Sequence, residues 1–400
     1  MTSAGKNERT LLIVAPYPTE KGESILSSFV RNQVNELKRY FRKVVVISPV
    51  MFVPRFLRNV SLIPEVHRNN ILFKDYKYDN VEVYFPKYIK WLAIDYRFRV
   101  IIRCIEANNL SFDLIHAHFT YPYGYLAVKL KRKFCKQAVL TIHENGSWLS
   151  REIAQNKRKF QEAWRGVDLI IRVNEADVKK LRAYNPNTIS LPAGCGFSNR
   201  DFYPRSKTEC RKRLDLPDKK IILHVGNYKI SHKNQINLVR ALAELRKGRE
   251  DFTAYLIGRG AEGRKSIQRE VESLGASDYV KVVGGVPLSP ENFLPIWMCA
   301  ADLFVLPSYS EGNPAVMFEA LACGTPYVGT KVGGVGEVIT SEEYGFLYDD
   351  PEDTKRLKDL MDRALDKEWN SKNISEYALN FTGEKVAEKI MMEYDRLCPR

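Results

Sequence analysis

Residues 302–338, DLFVLPSYSEGNPAVMFEALACGTPYVGTKVGGVGEV, constrain the fold more tightly than any other stretch of this chain. The apolar run 303–306 reads as a buried strand, and a polar loop follows it. Asn313 and Pro314 then open a helix, since Asn caps helix N-termini well and Pro suits the first helical position. A Gly-Thr-Pro break at 324–326, a second short strand and a glycine-rich turn complete the pattern. Such a loop presents the backbone N–H groups between Asn313 and Val316, together with the positive end of the helix dipole, to whatever lies above it. The stretch is therefore read as an anion site.

The helix, AVMFEALAC, is apolar nearly all round, with Glu319 its only charge. A helix of that composition is buried. At about 100° per residue Glu319 lies beside Val316, Ala320 and Cys323, where an unpaired carboxylate is costly. Two partners fit it: a buried Lys or Arg, or two hydroxyls of a ribose whose phosphates sit on the helix N-terminus. Glu311, in the preceding loop, would face the next group along.

Glu311 and Glu319, with seven residues between them and followed by ALACGTPYVGTKVGGVGEVI, resemble the donor-binding signature of family-4 glycosyltransferases. The resemblance implies a retaining enzyme with the GT-B fold: an α/β chain of two Rossmann-like domains facing each other across a cleft. A C-terminal helix would cross back to the first domain. In this pattern Glu319 binds the ribose, and the backbone of Gly312, Asn313, Pro314, Ala315 and Val316 surrounds the donor. Lys233 contacts the diphosphate, while backbone near Val283 and Gly284 pairs with the base. Family members usually carry an Arg just after the glycine at Gly226; Asn227 stands there instead, leaving one cation fewer unless Lys229 or Arg259 substitutes. His143 resembles the family's strand-end histidine, which reaches the hydroxymethyl side of the donor sugar. Glu311, His143 and Lys233 would be the catalytic set.

The remainder of the chain reads as two strand-helix series. Strands are expected at 10–15, 44–48, 112–117, 138–142, 168–173 and 188–191 in the first half. Ile25, Phe29, Val34 and Leu37 make an amphipathic helix after the first strand. The loop between them lacks a G-x-G-x-x-G fingerprint, which argues against a dinucleotide cofactor, and Gly22 would border the acceptor. PAGCGFSNRDFYPRS reads as a linker. Strands at 220–225, 252–257 and 279–283, with helices at 235–245, 352–365 and 384–397, follow it. The domains are therefore placed at 1–195, joined by about 383–400, and at 196–382.

His116 and His118 stand at i and i+2 on one strand face, a spacing that permits a shared metal, but no third ligand is near in sequence. No metal and no cofactor are expected. His118, at a strand's C-terminal end, is read as lining the ligand cleft on the acceptor side.

The net charge of +14 is the compositional outlier among 400 residues. It admits nucleic acid, an anionic membrane surface or acidic substrates. No nucleic-acid-binding motif is present, so nucleic acid is set aside. The aromatic and basic residues of 50–103, among them Phe52, Arg55, Phe56, Arg58, Lys90 and Trp91, suit an anionic membrane face. From Trp91, however, Ile94, Phe98, Ile101 and Ile105 also suit a helix packed on its own sheet. Seven scattered cysteines without a CxxC pair point to a reducing cytoplasm. No apolar run is long enough to span a membrane, and a polar N-terminus leads straight into a strand.

These readings give a cytoplasmic enzyme, peripheral at the inner membrane face, that moves a hexose from a nucleotide-sugar, foremost a UDP-sugar, to a saccharide or lipid-linked acceptor. Three alternatives stay open. They are a UDP-sugar epimerase of the same architecture, a GDP-sugar mannosyltransferase, and a non-catalytic basic binding module.

Overall fold

The structure, a computed structural model, describes residues 7–20, 28–54, 73–89, 94–144, 146–192, 194, 196–228, 231–284 and 293–399. They divide into two compact units. The first draws on Met1–Glu144, Trp148–Gly196 and Gly383–Arg400, the second on Asn145–Ser147 and Phe197–Thr382.

Ten strands belong to the first unit: β1 Asn7–Val14, β2 Phe41–Ile47, β3 Val50–Met51, β4 Tyr76–Tyr78, β5 Val81–Tyr84, β6 Lys87–Tyr88, β7 Leu114–His118, β8 Gln137–Ile142, β9 Leu169–Arg172 and β10 Thr188–Ser190. Eight form one sheet in the order β10-β9-β8-β7-β1-β2-β5-β4, parallel except where β4 runs against β5; β3 and β6 pair separately. The pleat decides where each side chain goes. Leu11 and Ile13 of β1 enter one core with Val30 and Val34 of the helix Ser28–Leu37, while Leu12 and Val14 enter another with Ile101 and Ile105 of Ile94–Ala107. Both faces of the sheet are thus covered, as a parallel sheet requires.

The helix Gly383–Leu397 joins the first of those cores. Val386, Ala387, Ile390, Met391 and Tyr394 fall at helical spacing and pack with Leu11, Ile13 and Phe41. The chain's last helix therefore belongs to the first unit although all residues from Phe197 to Thr382 belong to the second.

The second unit holds β11 Lys220–Val225, β12 Phe252–Gly258, β13 Val280–Gly284, β14 Leu303–Leu306, β15 Tyr327–Thr330 and β16 Gly345–Tyr348. Their order is β13-β12-β11-β14-β15-β16, parallel throughout. This is a doubly wound sheet whose order reverses between β11 and β14, and ligands of such sheets bind beyond the strands' C-terminal ends at that switch point.

Two expectations need correction. The key helix runs from Ala315 to Ala322, and its N-cap is Pro314, at φ −72° and ψ 120°, rather than Asn313. Proline forces the residue before it out of helical space and here keeps an extended ψ itself, so the helix starts one residue later. The stretch 50–103 contains β4 and β5, which extend the main sheet and were not expected. In the helix after it, Ile94, Ile101 and Ile105 are buried against the sheet, so that face is core. Ile25, Arg55, Phe56, Arg58, Lys90 and Trp91 lie outside the described residues.

Candidate active site

The loop between β14 and the helix Ala315–Ala322 stands at the switch point of the second sheet. Glu311 in this loop is 7% exposed and has two partners: Lys233 Nζ donates to its Oε1 at 2.6 Å, and Ser308 Oγ donates to the same oxygen at 2.6 Å. Lys233 ends the short turn Ser231–Lys233 after β11, so residues 78 positions apart form one ion pair. Thr330 Oγ1 donates to the Ser308 carbonyl. Beneath the loop, Gly334 N–H donates to Gly312 O at 2.7 Å, and Gly333 has φ +58°. A Cβ at 333 would stand 2.2 Å from Glu311 O, so only glycine lets the turn support the loop this closely.

Glu319 projects from the second turn of the helix. Its Oε2 is buried without a hydrogen-bond partner, and no ion pair among the described residues includes it. Burial, with the Asp201 charge adding to it, raises its pKa from the usual 4.5 to about 7. A carboxylate so placed lacks the donors that would hold its charge, and hydroxyl groups would supply them. Helix geometry leaves the N–H groups of Ala315 and Val316 without intrahelical acceptors, one turn before Glu319, whereas Met317 N–H closes a tight turn onto Pro314 O at 3.0 Å.

Across β11, Gly226 is part-exposed and Asn227 is exposed. Tyr228, which the sequence reading passed over, is buried, and its one hydroxyl proton is shared between Val283 O, at 2.7 Å, and Leu256 O. It thereby ties the loop after β11 to the ends of β12 and β13, and occupies one lone pair of the Val283 carbonyl. Gly284 lies under the Arg264 side chain. Lys229 falls outside the described residues, and the Arg259 carbonyl accepts from Tyr228 N–H at 2.7 Å.

In the first unit three histidines form a ladder. Tyr394 OH meets His116 Nδ1, His116 Nε2 meets Thr141 Oγ1 at 2.7 Å, and the His116 and His118 rings stack with centroids 4.5 Å apart. His118 Nδ1 then meets His143 Nε2 at 2.9 Å, the two rings being nearly coplanar in orientation at 4°. Burial lowers the pKa of His116 to about 3, and burial followed by the Arg172 charge does the same to His143; His118 is also pushed well down by burial. All three are neutral near pH 7. His118, expected to line the ligand cleft, is 0% exposed in the unliganded chain, with its Nδ1 against His143. Gly22 lies outside the described residues.

Arg172 and Asp177, also unforeseen, sit beneath the end of β8. Arg172 is wholly buried, donates to Ile142 O at 2.7 Å and pairs with Asp177 Oδ2 at 2.6 Å. Burial alone would raise the Asp177 pKa, but Arg172, joined by hydrogen bonds from Asn174 and Lys180, lowers it. The pair holds the strand end that carries His143. Among the described residues no group of three or more His, Cys, Asp or Glu is arranged to hold a metal ion.

Two family models match the chain: Glycosyltransferase Family 4 over residues 60–191 and Glycosyl transferases group 1 over 206–381. A Bacillus subtilis glycosyltransferase assigned to teichuronic acid biosynthesis is 28% identical over 370 residues, covering 89% of this chain and 88% of its own. The N-acetyl-alpha-D-glucosaminyl L-malate synthase of Bacillus anthracis is 25% identical, with 73% of this chain and 75% of that protein covered. Among solved structures, sucrose-phosphate synthase from Thermosynechococcus elongatus superposes with a TM-score of 0.76 at 23% identity, over 98% of this chain and 99% of that one. An Anabaena protein solved in complex with UDP-glucose gives 0.73 at 18%, over 98% and 100%. With both halves matched in chain order and both sheets doubly wound, the chain belongs to the family-4 glycosyltransferases and has their GT-B fold.

Proposed function

We propose that this glycosyltransferase moves a hexose from a UDP-sugar to a hydroxyl of a saccharide or lipid-linked glycan, in the synthesis of cell-surface polysaccharide or glycolipid. One observation carries the donor half of this reading. At a single switch point the Lys233–Glu311 pair, the helix N-terminus at Ala315 and the Glu319 carboxylate, whose Oε2 is buried without a partner among the described residues, occur together. Ala315 and Glu319 are four residues apart, a rise of about 6 Å along the helix, which suits a phosphate at the first and a ribose at the second. The UDP-glucose complex of the Anabaena protein, which shares the fold, supports a uridine donor.

In this reading Lys233 and the N–H groups of Ala315 and Val316 stabilise charge developing on the leaving diphosphate, the term that preorganised electrostatics serves best. Glu311 and neutral His143 position the sugar, Val283 and Gly284 border the base, and Gly226, Asn227, Gly312, Asn313 and Pro314 complete the donor contacts. Attack from the face that the diphosphate leaves retains the anomeric configuration. No metal ion is needed, since protein groups supply the positive charge. A thermal-shift screen of UDP- and GDP-sugars tests the donor, because a ligand that binds only the folded state raises its stability. Stabilisation by GDP-mannose and by no UDP-sugar would replace the donor. Appearance of a new sugar isomer from donor alone would favour an epimerase.

The acceptor half, with attachment to an anionic membrane, is supported by basic side chains lying over aromatic rings of the first unit. Arg97 sits 3.8 Å from the Tyr88 ring centroid and Lys129 5.0 Å from that of Phe98. No helix of the described residues is long and apolar enough to cross a membrane. Sedimentation with anionic vesicles should recover the protein and weaken as salt shortens the screening length to about 10 Å at 0.1 M. Equal recovery with neutral vesicles would sink the attachment.

A further inference from the structure

His224 spans the switch point of the second sheet. It lies on β11, is 1% exposed, and its Nδ1 stands 2.9 Å from the carbonyl oxygen of Val305 on β14. A carbonyl only accepts, so Nδ1 carries the proton and Nε2 is left as a bare lone pair. That nitrogen is buried and has no hydrogen-bond partner among the described residues. Two residues on, Gly226 keeps the space beside it clear: a Cβ there would lie 2.9 Å from Nε2, 3.4 Å from Gln235 Nε2, which donates to Asn227 O, and 3.5 Å from Lys233 Cγ. The unpartnered nitrogen and the Lys233 stem thus border one point at the end of β11.

Lys233 is already neutralised by Glu311, while the diphosphate of a nucleotide-sugar brings two negative charges. We infer that His224 is a second, conditional cation of the donor site: it takes a proton from solvent as the diphosphate binds, and Nε2–H then donates to a phosphate oxygen. The proton returns to solvent when the diphosphate leaves, so none is consumed. This rests on the reading that the diphosphate lies between Lys233 and the helix N-terminus.

In the unliganded chain burial is the main cause that lowers the His224 pKa, to about 4; the Val305 bond opposes it and the Lys233 charge adds to it. An opposite charge within about 4–6 Å moves a pKa by about 1 to 3, and the diphosphate carries two. Lys233 and His232 on the turn after β11, Glu311 beyond β14 and the Tyr327 phenol on β15 are the other titratable groups on the elements around it. Glu319, farther along, would release protons on binding ribose.

The test is calorimetric titration of the full chain with UDP-glucose between pH 6.5 and 8, in buffers of different ionisation heat, for wild type and His224→Asn. The diphosphate diester of UDP-glucose does not itself titrate there. Asn offers an N–H to Val305 O without a titrating group, and protons from Glu319 are common to both proteins. Wild type should take up more protons than the variant, and its affinity should fall with rising pH by up to about tenfold per pH unit. The variant should bind about tenfold more weakly at pH 6.5 and show the flatter profile. His224→Gln, with its amide near the Nε2 position, should recover part of the affinity without the proton uptake. Equal proton counts and equal affinities would overturn the inference. Binding indifferent to Lys233→Ala would instead overturn the phosphate placement beneath it. Failure of both UDP-glucose and GDP-mannose to bind would remove the donor reading and the inference together.

Discussion

The two sheets of this enzyme are furnished in opposite ways at their strand ends. In the first unit three histidines, His116 and His118 buried and His143 part-buried, touch one another and are kept neutral by their surroundings, with the nearby Arg172 charge balanced by Asp177. In the second unit a Lys–Glu pair, a carboxylate short of partners and a helix N-terminus gather within one loop and one turn of helix. Both sheets are doubly wound and, apart from β4, parallel, so the backbone frame alone does not dictate the difference. What differs is which side chains the strand ends carry. The first can hold hydroxyls by neutral hydrogen bonds, and the second can hold an anion.

The largest effect that would break this comparison is acid. A histidine whose folded pKa is depressed binds protons more readily when unfolded, so its contribution to stability is full above the ordinary 6.5 and is lost as pH falls toward the folded value. For His116, at about 3 when folded, the loss by pH 5 is about 2 kcal/mol. His118 adds in the same direction. Glu319 has the opposite sign: its folded pKa is raised, so its contribution improves as pH falls from about 7 toward 4.5. His224 on β11, its pKa lowered to about 4, acts in the ladder's direction, but in the second unit Glu319 offsets it. Hydrogen exchange at pH 7.5 and pH 5 should therefore show β7 losing more protection than β14. Equal losses would mean that the ladder is not held neutral.

Next in size is Lys233. Its loss removes a charge-assisted contact to the diphosphate worth roughly 1.5–3 kcal/mol, about ten- to a hundredfold, and leaves Glu311 with Ser308 alone. Lys233→Ala should lose that factor in turnover and in UDP affinity, whereas Asn227→Arg should gain affinity by adding a cation at an exposed position. Normal turnover by Lys233→Ala would move the anion site elsewhere and dissolve the contrast between the units.

The second unit's site was legible because its signals are local and agree. A buried strand, a Pro, an apolar helix and Gly333 all fall within 37 residues, and each constrains the next. The helix start slipped by one residue because Asn313 and Pro314 both carry start signals, and the extended ψ of Pro314 decided between them. The first unit's ladder was legible only as separate histidines. Its order depends on Tyr394, 278 residues from His116, and such a contact leaves no trace in periodicity. Arg172 with Asp177 and the reach of Tyr228 to Val283 were missed for the same reason. β4 and β5 were hidden because their tyrosines and valines sit among Lys, Asp and Glu, the composition of an edge rather than of a core strand.

The smallest and most discriminating effect separates the two glutamates. Glu319 stands on the helix one turn past the proposed phosphate position, where it would bind the ribose, a part that changes little during reaction. Glu319→Gln should weaken intact donor and free UDP alike, by about tenfold, as expected for one lost charge-assisted bond. Glu311 sits in the loop beyond the phosphates, held by Lys233 and Ser308, and would touch only the transferred sugar. Glu311→Gln should leave UDP affinity within about threefold while lowering turnover, because contacts to the reacting sugar strengthen in the transition state. A small change in UDP affinity is expected even so, since the Gln variant frees the Lys233 charge for the diphosphate but holds the lysine less firmly in place. Calorimetry with UDP and with donor, set beside single-turnover rates, reads the two effects apart. If Glu311→Gln lost UDP affinity and Glu319→Gln did not, the two roles would exchange, and if neither variant changed binding or rate, the donor would lie off this loop altogether.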